Sequence, residues 1–149
     1  MDDGILHTAG LLAHQLGPLR RAVLRASRSA ADLPDIPDAQ IEVMRSLATT
    51  GESAPSDLAD TLGLARSTIS NLISHMEKAD LIERHLVAGD GRRTRVGLTP
   101  LAETRLRAFD DSAAHILSVA LRDLSANDVA AIAAALPALD RLQHSIVDG

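Results

Sequence analysis

The chain has 149 residues, 46% of them hydrophobic and 23% charged, with a formal net charge of −5, which is the size of one ordinary domain with room for a core. The absence of cysteine excludes a disulfide framework, a thiol nucleophile and a thiolate metal site, and a single aromatic residue, Phe109, leaves no platform for stacking single-stranded bases. The longest uncharged apolar run, residues 129–139, contains Pro137 and falls short of the roughly 20 residues of a membrane span.

From the N-terminus, Ile5, Ala9, Leu12, Leu16, Leu19, Val23 and Ala26 alternate at spacings of four and three, the seam of a long amphipathic helix. Gly17-Pro18 is expected to kink it. Whether this seam packs inside one chain or across two is not set by the pattern. Residues 31–38, with Pro34 and Pro37, read as a loop, followed by a helix over roughly 38–50 that buries Ile41, Met44, Leu47 and Ala48 and stops at Gly51. Ser53-Ala54-Pro55 predicts a helix start in which Ser caps and Pro occupies the first turn. That short helix uses Leu58, Ala59 and Leu62 and ends at Gly63. The next begins near Arg66, with Ile69, Leu72, Ile73 and Met76 on one face and Ser67, Thr68, Ser70, Asn71, Ser74 and His75 on the other.

The period then changes from helical to strand-like. Residues 82–87 and 95–98 flank a turn-rich basic tip, residues 88–93. Thr99-Pro100 starts a helix to about Leu121, and Ser125 with Asp128 is a capping-box variant opening a last helix to about Val147, with a second kink expected at Pro137. The acidic start Met1-Asp2-Asp3 is unlike a basic signal peptide, so a cytoplasmic location is expected.

A short helix, a glycine turn, a second helix and a basic hairpin make a winged helix-turn-helix. Charge agrees: residues 64–98 sum to +2, whereas residues 37–63 sum to −4 and 99–149 to −3. A helix entering a major groove about 12 Å wide needs small or hydrogen-bonding outer side chains, which Ser67, Thr68, Ser70 and Asn71 supply. Asn71 suits a bidentate contact to adenine, and the hydroxyls suit bases or phosphates. Arg92 and Arg93 on a thin tip suit the narrow minor groove, with Asp90 orienting Arg92. Arg66 belongs with the same face, and His75 and His85 border it, where they suit phosphate when protonated.

Residues Leu64-Ala65-Arg66-Ser67-Thr68-Ile69-Ser70-Asn71-Leu72, the continuation Met76 to Arg84, and the wing Asp90-Gly91-Arg92-Arg93 closing at Val96-Gly97-Leu98-Thr99 resemble the MarR family of bacterial transcription regulators. The resemblance implies a mainly α fold with a small β-hairpin wing, in which residues 37–98 form the winged part and residues 1–36 and 99–149 supply dimerisation helices. It implies a homodimeric repressor on pseudo-palindromic double-stranded DNA, released by a small amphipathic or phenolic effector. It also matches Ser67, Thr68 and Asn71 to base- or phosphate-contacting positions, and Arg92, with Asp90, to the minor-groove arginine. Three positions depart from the pattern: Asn71 where Arg is common, Ala65 where Ser usually caps, and Asp80 where Gly usually takes the left-handed turn.

Other readings of the same residues have different chemistry. The acidic flanks suit a winged-helix protein-interaction module without DNA binding. Six histidines, among them His7, His14, His115 and His144, raise a metal-responsive repressor, but no tight His-x-x-x-His or carboxylate pair supports one and no metal or other cofactor is expected. Asp110 and Asp111 diverge on one helix, and no phosphate loop or nucleophile elbow is present, so an enzyme is not expected.

Overall fold

A computed structural model describes residues 3–31, 34–89 and 93–147. Its order is α1 (Asp3–Ala31), α2 (Asp38–Thr50), α3 (Pro55–Leu62), α4 (Arg66–Lys78), β1 (Ile82–Leu86), β2 (Thr94–Leu98), α5 (Pro100–Arg122) and α6 (Ala126–Val147). The mainly α architecture with one hairpin is the one expected. Helix α1 runs unbroken through Pro18, and α6 through Pro137. Among the described residues no helix is long and apolar enough to cross a membrane.

The core lies in the middle of the chain. Val43, Met44 and Leu47 of α2, Leu58 and Ala59 of α3, Ile69, Ile73 and Met76 of α4, and Val96 of β2 are buried together. Ala102, Leu106 and Phe109 of α5 close it. Helices α2, α3 and α4 contribute stripes close to those their spacing predicts, except that α2 buries Val43 and leaves Ala48, expected inside, exposed; burial of this kind is worth about 25 cal/mol per Å² of apolar surface.

Local chemistry sets the element ends. Gly63 takes a left-handed conformation, φ 62 and ψ 33, and Leu64 N–H donates back to Ala59 O at 2.9 Å, closing α3 in a tight turn. Ser53 does not cap α3, contrary to its expected role. Ala54 is the N-cap and makes no side-chain cap bond, while Ser53 exchanges both backbone hydrogen bonds with Val96 at 3.0 and 2.9 Å. A lone residue outside the helices thus bridges the free edge of β2, in the position of a third strand, because buried backbone groups must find partners. Ser125 caps as expected, accepting from Asp128 N–H at 3.1 Å and donating to the Asp128 carboxylate at 2.6 Å.

Helix α4 ends in the left-handed turn that the sequence places at Asp80, whose φ is 58. Leu81 N–H donates to Met76 O at 2.8 Å, and Thr99 holds the turn from across the fold. The buried Thr99 hydroxyl donates to Asp80 O at 2.6 Å and accepts from Ala102 N–H at 3.1 Å, so one oxygen both clamps the strained turn and caps α5. The strands pair antiparallel, Ile82 opposite Leu98 and Leu86 opposite Thr94.

Helix α1 lies along α5, where small residues permit close approach: Ser112 Oγ donates to the carbonyl of the buried Ser27 at 3.1 Å. The α1 seam is not consumed inside the chain. Ile5 is 69% exposed, Leu16 50% and Leu19 60%, and no described side chain of α6 is buried. Thr99→Val keeps the shape of the side chain but removes the cap and the Asp80 bond. It should lower unfolding stability by about 2 kcal/mol, read as a fall in the denaturant midpoint at unchanged slope.

Candidate nucleic-acid interface

Three buried side chains decide which way α4 faces. Ile69, Ile73 and Met76 are at most 1% exposed, so the opposite side of a helix with 3.6 residues per turn must point outward. Ser67, Thr68, Ser70, Asn71 and His75 are all exposed there, as the sequence pattern places them. Ser67, Asn71, Ser74 and Lys78, at spacings of four, three and four, form the central ridge, with Thr68 and His75 along one flank and Arg66 and Ser70 along the other. Its chemistry is small and hydrogen-bonding, with positive charge only near the ends.

Ala65 is in extended conformation at the N-cap, φ −62 and ψ 145, and no side chain caps the helix. The first-turn N–H groups of α4 therefore face outward beside Ser67 and Thr68, where an anion would find donors.

The hairpin is fixed to the same core through Ile82 and Val96, at 3% and 0% exposure. Alternation along β1 sends Arg84 to one side and Glu83 and His85 to the other. Arg84 Nε donates to Glu77 Oε1 of α4 at 2.7 Å. That hydrogen bond raises the guanidinium pKa above its ordinary value, against a smaller opposing effect of burial. On the far side, His85 Nε2 lies 3.2 Å from Glu83 Oε1 and 3.5 Å from Glu52 Oε1, so this histidine is held by carboxylates at the wing's root. Arg95 donates to the Glu52 carbonyl. Toward the tip, Val87 N–H donates to Arg93 O at 3.0 Å, carrying the ladder past the named strands to place Arg93 at the end of the wing. Asp90 and Arg92, which the sequence assigns to the same tip, lie outside the described residues.

Between α3, the start of α4 and the hairpin lies a crevice of about 740 Å³, lined by Ser56, Asp57, Arg66, Arg84, Arg93 and Arg95 among others. Sequence reasoning counted Arg84 and Arg95 toward the basic charge of residues 64–98 but did not assign them to the DNA face. The available signal was strand alternation, which puts Arg84 on the same side as the anchoring Ile82. Among the described residues no group of three or more His, Asp or Glu side chains converges as a metal site would require.

A buried-backed polar helix after a tight turn, with a cationic hairpin fixed to the same core, defines a winged helix-turn-helix, the fold of DNA-binding transcriptional regulators. The model of the MarR family matches residues 35–93. The structure is similar to RV1404 from Mycobacterium tuberculosis, at 15% identity with 97% of each chain covered and a TM-score of 0.84. It is also similar to a protein from Pseudomonas aeruginosa described as a transcriptional regulator, at 27% identity over 97% of this chain and 98% of that one, with a TM-score of 0.79. Wild-type MarR from E. coli in its apo form matches at 21% identity over 87% of this chain and 95% of that one, with a TM-score of 0.71. No curated protein matches the sequence. The MarR family model thus covers the winged part of the chain, and the solved structures share its fold over most of its length.

Ala65→Ser supplies the cap that α4 lacks, in a backbone conformation already suited to it. It should raise unfolding stability by about 1 kcal/mol, measured by chemical denaturation against the unaltered chain.

Proposed function

We propose that this chain is a homodimeric repressor that reads a pseudo-palindromic duplex operator and releases it when a small amphipathic molecule binds. The observation that carries the reading is the exposed ridge of α4, backed by Ile69, Ile73 and Met76 and flanked by the wing. In this reading Ser67, Thr68, Ser70 and Asn71 meet base edges and phosphates in the major groove, while Arg66 and His75 lie over the backbone at its margins. Arg93, with Arg92 oriented by Asp90, enters the minor groove. A duplex partner puts the site of action in the cytoplasm.

Two faces support a second copy. The N-terminal half of α1 and the C-terminal end of α6 line one apolar groove, with Ile5, Leu12, Leu16, Leu142 and Ile146 on its walls. Ile146 is 71% exposed in the single chain. Apolar surface of this extent on two adjoining helices is what an intertwined dimer buries. A dimer presents two α4 ridges, which suits half-sites one helical turn apart.

The effector site in this reading is the crevice of about 270 Å³ where α1 and α5 meet α2. Val23, Leu24, Ile41 and Phe109 give it an apolar floor, and Arg20 and Arg45 stand at its rim. Arg20 pairs with Glu42 and Arg45 with Asp110, each at 2.6 Å. Both pairs are about half exposed, so each contributes only about 0–1 kcal/mol, and a molecule wedged between the helices would have little to overcome.

The experiment is titration of the full chain against a duplex selected by the protein from a random pool, followed at several salt concentrations. Affinity should fall steeply with salt, because phosphate contacts release counterions; a duplex bound without sequence preference would refute the operator reading. Asn71→Ala should cost about 1–3 kcal/mol of discrimination at one base pair per half-site and leave the others unchanged, scored by repeating the selection. Leu16→Arg places a charge in the groove without touching the core. It should halve the sedimenting mass and abolish tight operator binding; a dimer that persists would remove this groove from the interface.

A further inference from the structure

The ridge of α4 carries hydroxyls and an amide but, between its ends, no cation. A protein of net charge −5 that grips a polyanion through such a ridge must hold the phosphates from somewhere else. The crevice at the foot of the wing is where the cations gather. Arg66 stands on one wall, Arg84, Arg93 and Arg95 belong to the hairpin side, and Asp57 is the carboxylate among them.

These arginines are not equivalent. Arg95 is committed to the Glu52 carbonyl. Arg84 uses only its Nε, on Glu77, and among the described residues Glu77 is its one side-chain partner, which leaves both terminal nitrogens open. Its side chain is 40% exposed. The Arg66 side chain makes no ion pair or hydrogen bond among the described residues. A half-exposed Arg84–Glu77 pair adds little to folding. It does aim a planar guanidinium fork, the group best matched to two oxygens of a phosphate.

We propose that this crevice seats a backbone phosphate of the bound duplex, gripped by Arg84, which Glu77 orients, and by Arg66 from the facing wall. The inference rests on the DNA-binding reading and adds to it the charges that anchor the strand beside α4. Arg84 acts on sugar-phosphate alone and carries no sequence information. Glu77 is a positioning residue that never meets DNA.

The test measures the full chain against two duplexes of equal length, one selected by the wild-type protein and one unrelated, with the logarithm of affinity plotted against the logarithm of potassium chloride concentration. Arg84→Gln should weaken binding to both and lower the salt slope by about 0.9 for each lost phosphate contact, so about 1.8 for a dimer, with base preference unaltered. Arg84→Lys should recover most of the slope but only part of the affinity, because the charge returns without the fork. Glu77→Gln should weaken binding and leave the slope in place. If Arg84→Gln lowers the thermal midpoint and leaves slope and affinity intact, the pair merely ties helix to hairpin and the phosphate seat is wrong. Should that variant fail to fold, Arg66→Gln on the other wall must show the same slope loss, and an unchanged slope there also overturns the seat. Wild-type protein that binds neither duplex overturns the regulator reading and the seat together. Wild-type binding with unaltered variants overturns the seat alone.

Discussion

The one-sidedness of α4 is the constraint on which the rest depends. Ile69, Ile73 and Met76 fill the space between α2, α3 and the hairpin, and rotating the helix to hide its ridge would put Ser67 and Asn71 into that space without partners. Burying such a group unpaired costs about 1–3 kcal/mol, against about 0.5 kcal/mol for an ordinary surface change. The outward display of hydroxyls and amide is therefore a consequence of core packing. The wing is fixed to the same core, because Ile82 and Val96 anchor it where α4 is seated, and Ser53 bridges the free edge of β2. Ridge and wing are thus anchored in one core.

The joint between the winged part and the long helices is made differently. Arg20–Glu42, Arg45–Asp110 and the contacts of Arg28 with Ile36 O, Asp35 and Asp38 tie α1 and α5 to α2 and its preceding loop. Most of these side chains are about half exposed, and screened pairs of this kind are weak and salt-dependent. Beneath them Leu106 and Phe109 of α5 share one core with α2, and a crevice opens beside these pairs.

Much of the fold was legible from the sequence because it rests on local chemistry. Periodicity of apolar residues, Pro55 and Pro100 in first turns, Gly51 and Gly63 at helix ends and the switch to strand alternation after Leu81 each name an element without reference to the others. Ser53 misled the reading for an instructive reason. Its side chain suits a cap, but the unpaired edge of β2 offered its backbone two hydrogen bonds, a partner separated by 43 positions that no local rule can see. Arg84 and Arg95 counted toward the basic segment but were not assigned to the DNA face, because their placement depends on Glu77 and Glu52, which approach them only in the folded chain.

From the sequence alone came the class of fold, the polar face of α4 and the basic character of the hairpin, since each follows from side chains within a few residues of one another. Tertiary structure decided three other things: that much of the α1 seam is exposed and no described side chain of α6 is buried within one chain, that Thr99 braces the Asp80 turn, and that arginines from two elements share one crevice. Those depend on distances between segments far apart along the backbone. Such distances are fixed by how helices stack around a common core, and no local pattern of residues encodes them.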